Sequence, residues 1–62
     1  MTKSDIIIAL VRLGFSYTFS YIGDVYSNDT RQIIFTKQGF ESKPILLNDL
    51  NESHIEIVKS QL

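Results

Sequence analysis

Between Phe15 and Thr36 the chain reads FSYTFSYIGDVYSNDTRQIIFT, with aromatic and branched residues alternating with small polar ones. A period of two belongs to strands that bury one face, and here it predicts a β-hairpin or a three-stranded meander. Phe15, Tyr17, Phe19 and Tyr21 share one side of a first strand running from Phe15 to Ile22, with Ser16, Thr18, Ser20 and Ile22 on the other. The aromatic side is therefore expected to be the core. Gly23-Asp24 suits either a tight turn or a bulge that re-phases a longer strand, because Tyr26 follows at an even position and Val25 changes sides. Ser27-Asn28-Asp29-Thr30 has the composition of a turn. Arg31 to Lys37 reads as the next strand, with Ile33 and Phe35 on one face and Ile34 and Thr36 on the other. Apolar residues on both faces place it inside the sheet, and Gln38-Gly39 ends it.

The flanks carry a helical period. Thr2 followed three positions later by Asp5 matches a capping box, with the carboxylate at the positive end of the helix dipole. A helix from about Lys3 to Leu13 follows, its apolar stripe formed by Ile6, Leu10 and Leu13 and widened by Ile7 and Val11. Ile8, Arg12 and Asp5 fall opposite, so Ile8 is an isolated apolar spot from which a dimer contact could begin. Gly14 ends the helix. Glu41-Ser42-Lys43-Pro44 suits a loop or the start of an edge strand; Ile45, Leu46 and Leu47 form a short third strand or buried linker. Asn48 to Asn51 offers caps for a second helix, Glu52 to Gln61, with Ile55, Ile57, Val58 and Leu62 toward the sheet. Ile55 and Ile57 also alternate, which leaves a strand over His54 to Val58 as the competing reading. The expected fold class is α+β, ordered α-β-β-β-α, a small antiparallel sheet with both helices packed on its aromatic face.

Size and charge narrow the function. A chain of 62 residues is one domain near the length where only about 60% of the unfolded surface becomes buried. It has no Cys and one His, so neither a disulfide framework nor a structural metal is available as a staple, and dimerisation becomes a reasonable expectation. The net charge of -1 and pI of 5.6 lie far from the basic balance of an autonomous nucleic-acid-binding domain. Absence of Cys fits a reducing compartment. The longest apolar run, Ile6 to Val11, is too short for a membrane span or signal-peptide core, so a cytoplasmic protein with no membrane contact is expected. Asn28-Asp29-Thr30 and Asn51-Glu52-Ser53 match the glycosylation acceptor pattern, but both stand where turn or cap residues are wanted.

No motif for chemistry emerges. Gly14, Gly23 and Gly39 are scattered rather than gathered in a phosphate-cradling loop. His54 falls on the apolar side of the second helix, where a packing or first-turn capping role outweighs a catalytic one, since no second titratable group is placed beside it. Neither a catalytic residue, a cofactor nor a metal is expected. Tyr17, Tyr21, Tyr26, Arg31 and Lys37 could together suggest a stacking surface for single-stranded nucleic acid. Tyr17 and Tyr21 share the side of Phe15 and Phe19, however, so only Tyr26 is expected to be displayed. Asp49, Glu52 and Glu56 form a small acidic face able to meet a basic partner.

With this order of elements, the chain resembles the HicA (YcfA-like) family of small toxin domains, which have a double-stranded-RNA-binding-like α-β-β-β-α fold. The resemblance lies in Lys3-Ser4-Asp5-Ile6-Ile7, the helix-ending Leu13-Gly14-Phe15, and a closing helix after a proline and a short apolar strand. In that family a Gly-Ser-His stretch on the second strand supplies the histidine for RNA cleavage; the matching stretch here is Gly23-Asp24-Val25. A valine transfers no proton, so the resemblance implies the fold and not the activity.

The function expected from the sequence is a non-enzymatic protein-protein interaction module, such as an inhibitor or regulator from a phage or mobile-element system. It would act through an exposed sheet edge or the face carrying Ile8, with Ile8, Arg12, Tyr26, Arg31, Lys37, Glu52 and Glu56 as candidate partner-binding residues. The alternatives are a HicA-like RNA-binding or RNA-cleaving domain and a structural homodimer.

Overall fold

In the computed structural model, residues 1–23, 26–27 and 29–62 are described. The expected turn or bulge at Gly23-Asp24 and the re-phasing at Val25 lie outside the described residues. The fold is α+β. Helix α1 (Lys3–Arg12) leads into β1 (Ser16–Tyr21), β2 (Arg31–Lys37), β3 (Phe40–Glu41) and β4 (Ile45–Leu46), then a 3-10 turn (Leu47–Asp49) and helix α2 (Ser53–Gln61).

The sheet is antiparallel and centred on β2. On one side β1 pairs along its whole length, from Ser16 with Thr36 to Tyr21 with Arg31. On the other side β3 and β4 take successive parts of β2, Thr36 with Glu41 and Ile33 with Ile45. Gly39, at φ 78°, makes the tight return from β2 to β3. The two-residue β3 has no counterpart in the expected order, because a strand that short shows no alternation. Beyond it the ladder is completed by a side chain. The Ser42 backbone N–H donates to the Phe35 carbonyl at 2.8 Å, and the Ser42 hydroxyl accepts the Phe35 N–H at 2.9 Å.

Ile33 and Phe35 of β2 and Ile45 of β4 project to one face, where Ile6 and Leu10 of α1, Phe15, Leu50 and Val58 of α2 close the core. Both helices cover that face. The expected capping box is present: the Thr2 hydroxyl accepts the Asp5 N–H at 3.1 Å, and the Asp5 carboxylate accepts the Thr2 N–H at 3.0 Å. The second helix is a helix and not a strand, with Glu52 at its N-cap position and Asn51 bonded to its first residues. The Asn51 side-chain oxygen accepts the Ser53 N–H at 3.0 Å while the His54 Nδ1 accepts the Asn51 N–H at 3.0 Å. At the end of α1, the Lys37 ammonium donates to the Leu13 carbonyl at 3.0 Å and stands 5.2 Å from the centre of the Phe15 ring.

The core is narrower than the sequence pattern implies. Tyr17 and Phe19 lie on the helix-covered side, opposite the fully buried Phe35 and Ile33, yet they are 43% and 48% exposed. The helices sit over β2 and β4, and β1 extends beyond their cover. Of the aromatic row only Phe15, at the foot of α1, is buried, and Tyr21 is half-buried. Val11, Leu13, Ile57 and Leu62, expected to face the core, are exposed as well. Val11 and Ile57 sit round the helix from the buried Leu10 and Val58, while Leu13 and Leu62 are the residues just past the helix ends.

Candidate functional site

β1 is the outer strand of the sheet, and among the described residues nothing pairs with its far side. The direction of its unpaired groups follows from the register. The Ile22 N–H donates to the Thr30 carbonyl at 3.0 Å, continuing the ladder one step past Tyr21 and Arg31. Inward and outward residues alternate along an antiparallel strand. Ser16, Thr18 and Ser20 therefore pair with β2, and the N–H and C=O of Tyr17, Phe19 and Tyr21 point away from the sheet. The same three residues carry the uncovered aromatic rings.

These rings form a row with an arginine set into it. Tyr17 and Phe19 meet edge to face with centroids 5.6 Å apart, and Tyr21 and Tyr26 do so at 5.1 Å. Between the pairs, the Arg31 guanidinium stands 5.6 Å from the Phe19 centroid and 5.5 Å from that of Tyr21. It also donates to the Tyr21 hydroxyl from Nε at 3.1 Å and from Nη2 at 2.8 Å. Arg31 is thereby held within the row and is only partly exposed. Tyr26 is 76% exposed. Taking about 150–250 Å² per aromatic side chain, the uncovered parts of Tyr17, Phe19 and Tyr26 amount to about 300 Å², the size at which a surface patch is often functional.

The site unites two of the residues singled out from the sequence, Tyr26 and Arg31, and leaves the others elsewhere. Ile8 and Arg12 are exposed on α1, with Val11 one turn from Ile8. Lys37 is engaged at the end of α1. Glu52, just before α2, and Glu56 on it are exposed, and Glu56 pairs with Lys59 at 3.2 Å. Alternation alone assigns the main members of the row, Tyr17, Phe19 and Tyr21, to the core. One signal did mark them: SYTFSY contains no Lys, Glu, Pro or Gly, the residues with which natural edge strands block further pairing. Among the described residues there is neither a pocket nor a group of three potential metal ligands, and no helix is long and apolar enough to cross a membrane. No family model, no curated protein and no solved structure matches the chain.

Proposed function

We propose that this chain is a non-enzymatic protein-interaction module that docks through the free edge of β1, acting by contact as a small inhibitor or regulator. One observation carries the reading: a six-residue edge strand with outward-directed backbone groups, half-uncovered aromatics and none of the usual protection against pairing. Strand addition to such an edge draws affinity from main-chain hydrogen bonds and specificity from alternate side chains. The test is capture from the source cells on immobilised protein in three forms. Wild type and Ile8→Lys should retain a stoichiometric protein partner, and Phe19→Lys, which places a charge in the middle of the row, should lose it. Recovery of RNA alone, or a partner indifferent to Phe19→Lys, would count against the proposal.

A second reading, RNA binding of the HicA-like kind, draws support from the exposure of Tyr17, Phe19 and Tyr26 beside Arg31, since bases stack on such surfaces. Charge argues the other way. With one cation in the row, the affinity for single strands would change with salt only as about the -0.7 power, and the net charge of -1 adds no attraction. Titrating labelled single-stranded RNA at low and moderate salt separates the two readings; tight, salt-sensitive binding lost in Arg31→Ala would favour RNA.

A further inference from the structure

Resting on that docking role for β1, we infer that the strand it accepts is β1 of a second copy of this chain, antiparallel about a two-fold axis through Phe19. The argument begins with the outward groups. Tyr17, Phe19 and Tyr21 are symmetric about Phe19, so this axis sets Phe19 against its own copy and each Tyr17 against a Tyr21. Every such pair exchanges both of its N–H to C=O bonds, and all three residues are satisfied at once. An axis through Thr18 would instead set Tyr21 against Phe15, whose N–H is already donated to the Leu10 carbonyl at 3.1 Å. A slip by one residue would place aromatic rings opposite hydroxyls.

Side chains agree with that register. On the helix-covered side Phe19 meets Phe19 and Tyr17 meets Tyr21; on the other, Thr18 meets Ser20. These are aromatic with aromatic and hydroxyl with hydroxyl, the favoured cross-strand combinations. No charge lies within Ser16–Tyr21, so no like charges are opposed across the junction. Each Arg31 sits beside Tyr21 at opposite ends of it. The Arg31 backbone positions, paired with Tyr21 two residues from the axis, lie about 14 Å or more apart at about 3.4 Å per residue, and each guanidinium is engaged by the Tyr21 hydroxyl of its own copy. The product is a continuous sheet through both copies with all the helices on one side. One six-residue strand edge from each copy makes a contact at the small end of specific interfaces, so a reversible dimer is expected.

Sedimentation of the full chain from about 1 μM to about 1 mM tests this. Wild type should pass from monomer to a limiting dimer, as should Ile8→Lys, while Phe19→Lys stays monomeric with an unchanged far-ultraviolet circular dichroism spectrum. Should that variant misfold, a synthetic chain N-methylated at Phe19 replaces the outward N–H by N–CH3, keeps every side chain and should also stay monomeric. A wild type that is monomeric throughout, a dimer that survives both changes at Phe19, one that Ile8→Lys dissolves, or open-ended assembly would overturn the inference. A monomeric wild type that still captures a different protein, lost in Phe19→Lys, would refute self-pairing and leave the docking role standing; capture indifferent to Phe19→Lys would remove both.

Discussion

Ser42 shows how much a single hydroxyl does in a chain with few spare contacts. It is buried, and its oxygen accepts the N–H of the fully buried Phe35 while donating to the Lys43 carbonyl at 3.2 Å. Ser42→Ala leaves that N–H without an acceptor and out of reach of water, which costs about 1–3 kcal/mol. Urea titration should show a lower midpoint with the slope unchanged; a loss below about 0.5 kcal/mol would mean that the strand end rearranges to supply another acceptor. Asp5 makes the opposite case, an exposed group whose effect is readable through pH. The Thr2 backbone N–H, and next the Thr2 hydroxyl, hold its carboxyl below the ordinary value of 3.8. A carboxylate with a depressed folded-state pKa contributes stability that is present above its unfolded value and lost as pH falls through the folded one. Thermal midpoints of wild type and Asp5→Ala should therefore differ at neutral pH and converge on acidification through and below 3.8. A gap that persists in acid would assign the effect to helix propensity instead. Both Thr2 and Asp5 were legible in the sequence because a capping box is a local device. Ser42 was not, since the role of its hydroxyl depends on which strand lies beside it.

At the scale of elements, local signals again fared better than sheet position. The two helices, the interior place of β2 and the turn closed by the Thr30 N–H on the Ser27 carbonyl at 3.2 Å all follow from period, cap and turn residues. Alternation in β1 identified the side on which Tyr17 and Phe19 project, and that assignment holds in the register. What alternation cannot encode is whether a helix lies above that part of the sheet. α1 returns to β1 through Leu13 and Gly14, so its cover reaches Phe15 and ends there. The connection itself is tightly built: Gly14 has φ 98°, and a Cβ there would stand 3.3 Å from Lys37 Cε and 3.4 Å from Nζ. Gly14→Ala should cost about 1–3 kcal/mol in backbone strain, with an added part from pushing Lys37 off the Leu13 carbonyl. A double-mutant cycle with Lys37→Ala isolates that part: Gly14→Ala should cost less when Lys37 is absent, and equal costs in both backgrounds would show that Lys37 simply moves aside.

For the whole molecule, burial and assembly are linked. A chain of 62 residues has little margin of stability, and here a strand's worth of aromatic surface stays uncovered. If β1 pairs with its copy, the folded dimer is in equilibrium with two unfolded chains, and mass action makes stability depend on concentration. Each tenfold rise above the dissociation constant adds about 0.7 kcal/mol per chain, or about 3–6 °C in thermal midpoint for a domain of this size. Calorimetric scans of wild type over two decades of concentration should show that upward drift, and Phe19→Lys should melt at one temperature throughout, at or below the wild-type value in dilute solution. The comparison separates two roles for Phe19. Were it only a packing residue of the monomer, the substitution would lower the midpoint equally at every concentration and leave the drift in place; a drift abolished with the dilute-limit midpoint nearly unchanged places its contribution at the junction between copies.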